Sequence, residues 1–137
     1  MKRFAEGNFQ TAWGGIPSLS IALLVMYTEA RARGFSLADI ARWMAEAPAT
    51  LAGCQLHKGK IAAGYDADLA VFDESSEFLV TADRLHHRHP FSPYLDEKLK
   101  GEVKATYVRG RLVFADKALQ GNPQGREFPA QGRGSII

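Results

Sequence analysis

Cysteine is almost absent: Cys54 is the one thiol in 137 residues. A lone thiol excludes an intrachain disulfide and suits a reducing compartment. It lies in "LAGCQL" with no basic neighbour before His57, which describes a buried, inert sulfur rather than an activated nucleophile. Long apolar runs are missing too. The longest, Ile21 to Tyr27, falls far short of the ~20 residues a helix needs to cross a bilayer, so no membrane partner is expected. The opening "MKRFAEGNF" holds no apolar signal core, and the expected location is cytoplasmic. Neither charge sign dominates. Seventeen Lys and Arg against 15 Asp and Glu leave a net charge of +2, spread along the chain. Sequence-independent nucleic-acid binding wants a basic stripe or stacking aromatics in a groove; neither is here, so no nucleic acid is expected.

What is present is the make-up of a folded domain, 46% hydrophobic and 23% charged, long enough to bury a core. The pattern changes near Lys58. Before it, "IPSLSIALLVMYTEARARG" predicts a helix with Ile16, Leu19, Leu23, Met26 and Ala30 on one stripe and Ile21, Leu24 and Val25 on the other side. A helix apolar nearly all round is normally sandwiched between two layers. Pro17 suits its first turn and Gly34 the left-handed residue after its last. Ser36 caps a second helix with Asp39 three positions on, and Leu37, Ile40, Ala41 and Met44 are its expected buried face. A short third helix runs from Pro48 to Gly53. After Lys58, "GKIAAGYDADLAVFD" predicts two extended pieces around a Gly-Tyr-Asp turn. "EFLV" is a third strand candidate, and "VKATYVRGRLVF" a hairpin around Arg109-Gly110-Arg111. From Gly121 onward the tail reads as irregular. Helices followed by strands imply an α+β domain. Its first helix carries more apolar surface than so few elements can cover, and its sheet edges lack partners.

The segment "DRLHHRHPFSPY" concentrates His86, His87 and His89, which have metal-ligand chemistry. A zinc site needs three or four converging ligands, and Pro90 limits the helix that would align His86 with His89. Hydrogen-bonded packing around the "PFSPY" turn is the favoured reading. Asp66 and Asp68 could be mistaken for a paired acid and base, yet they sit at a turn and strand start, where aspartate bonds nearby backbone. Lys58 and Lys60 read as solvated. Ser18, Ser20, His57 and Asp39 form no nucleophile-base motif.

"GNFQTAWGGIPSLS" (Gly7 to Ser20), "HKGKIAAGYDADLAVFD" (His57 to Asp73) and "LHHRHPFSPYLDEKLKGEVKATYVRGRLVF" (Leu85 to Phe114) together resemble the carboxy-terminal part of the allantoinases. These are cyclic amidohydrolases close to dihydropyrimidinase, hydantoinase and dihydroorotase. The middle stretch is shared by much of that superfamily; "AWGGI" followed by "HHRH" and "SPY" points to allantoinase. The resemblance implies the last helix of a (β/α)8 barrel plus short helices over residues 1–57. It then implies the carboxy-terminal part of a small composite β-sandwich over 58–120, before an irregular tail, 121–137. It also implies metal-assisted hydrolysis of allantoin to allantoate, with two divalent, zinc-like ions lowering the pKa of water and polarising the carbonyl. The family's metal ligands precede the residues matched here, so this chain is expected to hold no metal ligand and no catalytic residue, and to be inactive alone. Its implied partner is a missing barrel half, or a second copy through self-association. A non-catalytic chain that complements a barrel, or part of another cyclic amidohydrolase, is the alternative. The resemblance leaves one stretch near substrate: Gly14 first, then Gly15 and Trp13, since a glycine pair permits close backbone approach. A loop that merely enters the helix is the plain alternative.

Overall fold

The computed structural model describes residues 15–88, 91–123 and 125–126. Its elements run helix first and strand second, as an α+β chain. A 3-10 turn, Leu19–Ile21, leads into α1, Ala22–Ala32. Pro17 lies ahead of the cap Ser18, outside the first turn where the sequence placed it, and Ile16 falls off the expected helical stripe. Gly34 follows α1 at φ +83, as its missing Cβ allows. Ser36 then caps α2, Leu37–Ala41. Its hydroxyl accepts the Asp39 N–H while the Asp39 carboxylate accepts the Ser36 N–H, a complete capping box.

The expected break before a third helix does not occur. A π-helical turn, Arg42–Glu46, joins α2 directly to α3, Ala47–Leu51, and the Ala47 N–H donates to the Arg42 carbonyl five residues back. Pro48 supplies the reason, because its ring cannot donate and crowds the carbonyl four residues earlier, and a wider turn relieves both. The buried face also differs from expectation. Ile40 is buried, but Leu37, Ala41 and Met44 are exposed, because no described element packs on that side.

The strands form one antiparallel sheet in the order β1 (Leu69–Leu79), β2 (Lys98–Val108), β3 (Arg111–Ala115), β4 (Ala118–Leu119). Two corrections apply. Gly59–Ala63 is irregular rather than extended, with Ile61 91% exposed, and it joins none of the described strands. "EFLV" is no separate strand but mostly the far half of β1. Between the halves, Glu74–Ser76 bulge out opposite Gly101 as the register jumps from Asp73↔Glu102 to Glu77↔Lys100. Asp73 holds the bulge by accepting from the Ser75 N–H and the Ser75 and Ser76 hydroxyls, which keep its carboxyl far below the usual range. Gly101 takes φ +82 there, and the Phe72 ring covers the place of its absent Cβ. The hairpin around Arg109-Gly110 is as expected. Both residues are left-handed, at φ 48 and 76, the geometry of a type I′ turn. Asp116-Lys117 repeats that geometry between β3 and β4.

The core lies between α1 and the sheet. Ile21, Leu24, Phe78, Val80, Leu85 and Leu99 form its centre. Tyr27, Ala30 and Ile40 form a second cluster. Phe72 touches both and meets Tyr27 edge-to-face at 4.8 Å between ring centroids. Thr28 accepts the Lys100 N–H at 2.8 Å, fixing α1 against β2. Among the described residues no helix is long and apolar enough to cross a membrane.

Candidate functional site

Trp13 and Gly14 lie outside the described residues. Gly15 opens them, exposed, at φ +88, and among the described residues no atom lies within 4 Å of where a Cβ would stand. A left-handed glycine permits close approach of a flat ligand to the backbone. Five residues on, the loop is anchored: the Ser20 hydroxyl donates to the Leu85 carbonyl at 2.5 Å, and the adjacent Ile21 is buried with Leu85.

That anchor runs into the histidine segment. His86 sits left-handed at φ 51, its ring edge-on to Phe114 at 5.9 Å. His87 turns its Nε2 toward Ser20 Oγ at 3.4 Å. His89 and Pro90 are outside the described residues. The buried Ser92 hydroxyl accepts the Tyr94 N–H and its carbonyl the Leu95 N–H, closing the "SPY" turn. The two imidazoles described in this segment therefore face different neighbours instead of one centre. Among the described residues no three His, Cys, Asp or Glu side chains converge as metal donors.

Asp66 and Asp68 serve as tethers. The Asp68 N–H donates to the Asp66 carbonyl at 2.8 Å in a tight turn ahead of β1, and Lys58 Nζ bridges the two carboxylates at 2.8 and 2.5 Å. The reading of Lys58 as solvated is thus overturned: its side chain is mostly covered, and the two carboxylates raise its pKa. Asp68 also accepts the Arg109 N–H at 2.8 Å, and the Ala67 carbonyl accepts from Gly110. The "GYDADL" segment therefore ties the helical part to the hairpin tip. The two-residue spacing of like charges was the sequence signal for a bridging cation. Lys60 is half exposed and pairs with Glu46.

Two further features complete the surface. A shallow cleft of about 390 Å³ is lined by Tyr27, Arg31, Glu74 and Lys100 among others. The buried Tyr27 hydroxyl donates to Glu74 at 2.7 Å. That bond, burial and the Glu74 charge all raise its pKa. Apolar side chains also stand open: Ile16 is 59% and Leu19 89% exposed, and Leu51 and Leu56 are exposed as well. Open apolar surface on this scale marks an interaction face.

A model of the amidohydrolase family matches residues 18–114. An allantoinase of Streptomyces avermitilis is 44% identical over 119 residues, 87% of this chain and 26% of that protein. The allantoinase of Arabidopsis thaliana is 40% identical, with 85% and 23% covered. Among solved structures, a D-hydantoinase superposes at TM-score 0.76 with 27% identity, over 82% of this chain and 24% of that one. L-hydantoinase from Arthrobacter aurescens superposes at 0.74 with 31% identity, over 80% and 25%. The chain thus spans about a quarter of the length of the curated relatives it matches.

Proposed function

Because this chain belongs to the amidohydrolase family, we propose that it is the carboxy-terminal segment of an allantoinase-like hydrolase that opens the cyclic amide of allantoin to allantoate. One observation carries the reading beyond family likeness. The 3-10 turn and α1 together bury Ile21, Leu24, Tyr27 and Ala30 in the two core clusters, while Leu19 and Met26 stand open. A helix with two apolar sides belongs between two layers, and the second layer is supplied by a barrel in which α1 is the last helix. Residues 1–57 then close that barrel, and 58–120 contribute strands to a small β-sandwich. The barrel chain, or a second copy of this one, is the partner for the open face. The lone thiol Cys54, buried and donating to the Ala49 carbonyl, suits a cytoplasmic setting.

Two divalent ions would supply the water-activating chemistry, but the described residues do not fit them. His86 and His87 point apart, and Lys58 already occupies Asp66 and Asp68. The part assigned to this chain is substrate positioning by the backbone of Gly14 and Gly15, with Trp13 beside them. The exposed, left-handed Gly15 supports that assignment.

The test is reassembly. The purified chain, a polypeptide carrying the barrel of an allantoinase, and zinc, cobalt or manganese are mixed, and allantoate is followed. Hydrolysis is expected only with both polypeptides. Turnover by the isolated chain near that of a complete enzyme refutes the proposal. Likeness to hydantoinase structures favours one second reading, a hydantoin or dihydropyrimidine substrate, and competing assays on the reassembled enzyme separate the two.

A further inference from the structure

We infer that the cleft between the last turns of α1 and the bulge of β1 binds a small carboxylate that also carries neutral N–H groups, such as an N-carbamoyl amino acid. Its volume of about 390 Å³ falls within the range of small-molecule sites. The walls are set by the fold itself. Thr28 of α1 accepts the Lys100 N–H at 2.8 Å, and Asp73 fixes the bulge through Ser75 and Ser76. Tyr27, 3% exposed, donates its phenolic proton to Glu74 at 2.7 Å, so the Glu74 carboxylate is oriented from the core. Arg31 stands close enough to the same hydroxyl for its charge and a hydrogen bond to draw the phenol's pKa down, against the larger effects that raise it. Cation and carboxylate thus flank one buried oxygen. Charge then selects the ligand. Of the charged side chains lining the cleft, Glu29 is taken by Arg33 at 3.0 Å. Arg31, Glu74 and Lys100 enter none of the ion pairs among the described residues, which leaves two cations against one anion. That excess of one positive charge calls for a monoanion. A guanidinium fork and an ammonium suit a carboxylate. Glu74 keeps acceptor sites after taking the one Tyr27 proton, and these call for a donor on the ligand. An ammonium donor would make the ligand neutral overall and leave the excess charge unmet, whereas amide or ureido N–H groups keep it a monoanion. The carbonyls that end a helix repel anions, but those of Ala30 and Arg31 already accept the Arg33, Phe35 and Gly34 N–H groups. The cleft's own charges make this selection; opening a cyclic ureide, the proposed reaction, releases a molecule of the same class.

The test titrates the full chain, labelled with nitrogen-15, with N-carbamoylglycine at constant ionic strength. Saturable shifts are expected at the amides of Thr28, Glu74 and Lys100. Three probes each lack one feature: acetate has no N–H, glycine is neutral overall, and the amide of N-carbamoylglycine has no carboxylate. Each is expected to bind about fivefold more weakly or worse. Lys100→Gln and Arg31→Gln should each weaken N-carbamoylglycine by about fivefold. Glu74→Gln should tighten acetate about threefold, since one like charge is removed, whereas N-carbamoylglycine, which loses its charged acceptor, should not tighten. The inference is overturned if those amides show no saturable shift, or if acetate, glycine or the neutral amide binds as tightly as N-carbamoylglycine. It is equally overturned if Lys100→Gln leaves the affinity unchanged. Lys100 is exposed, so that variant decides the matter should Arg31→Gln fail to fold. No turnover enters these readings, so their failure leaves the hydrolase proposal standing. Failure of reassembly would likewise leave the cleft's ligand standing.

Discussion

Replacing Lys58 by methionine removes a cation but keeps most of the stem's apolar bulk, and so isolates the charge that bridges Asp66 and Asp68. An exposed ion pair contributes about 0.5 kcal/mol and breaking a buried one costs about 4. Lys58 is 24% exposed and its partners about a third, so a loss of about 2 kcal/mol is expected at neutral pH. The pH dependence identifies the cause. Burial pushes Asp68 up, while the Lys58 hydrogen bond, the Arg109 N–H and both positive charges pull it down and prevail, leaving it below its ordinary 3.8. A carboxyl depressed on folding stabilises above its unfolded pKa and loses that contribution as pH falls through the folded one. Lys58 is raised above 10.5 by its bonds to Asp66 and Asp68, so its contribution is present below that value and is lost as pH rises past it. The stability difference between the unchanged chain and Lys58→Met should therefore be widest from about pH 5 to 9. It should shrink below pH 3.8 as Asp68 takes up its proton. Urea unfolding followed by circular dichroism at pH 3, 5 and 7 measures it. A difference that stays constant from pH 7 to 3 would show that the stem's packing, not its charge, does the tethering, and would refute the reasoning.

Gly59→Ala should destabilise by about 3 kcal/mol, because Gly59 sits at φ +90 and a Cβ would stand 2.8 Å from Ala49 Cβ and 2.9 Å from the Ala45 carbonyl; the same urea series checks it. Ser36→Ala should cost about 1 kcal/mol and loosen α2, read as faster amide exchange at Asp39 and Ile40. Asp39 is held below 3.8 by its bonds from Ser36, so in the unchanged chain the cap's contribution is present above pH 3.8 and fades as pH falls below it. Tyr27→Phe should cost about 1 to 2 kcal/mol by leaving Glu74 without its 2.7 Å donor. Tyr27 is also expected to ionise above the ordinary tyrosine value of 10.0 in an absorbance titration at alkaline pH.

Short-range chemistry explains what was legible from residues alone. The Ser36–Asp39 box, the left-handed Gly34 and the Arg109-Gly110 turn each depend on atoms a few positions apart, and each is found where the sequence placed it. So is the turn at Gly64, where the Tyr65 N–H reaches the Ala62 carbonyl. The nature of α1 was legible too, since an apolar helix announces that both sides want cover. Which side meets the sheet was not: Ile21, Leu24 and Tyr27 win because Phe72, Phe78 and Leu99 arrive from strands far along the chain. The same limit hid the union of two strand candidates into β1. Its bulge is held by Asp73 locally but required by Gly101 across the ladder. Lys58 looked like a solvated charge because its partners are recognisable only once a turn brings Asp66 and Asp68 back to it. Of the candidate substrate residues, Gly15 alone lies among the described ones, and the contact of Ser20 with His87 joins positions 67 apart in sequence. Sequence by itself determined the caps, turns and apolar periodicity, because those energies are settled between neighbours. Only the tertiary structure decided which apolar faces meet and which charges pair, because those choices depend on groups that folding alone brings within contact distance.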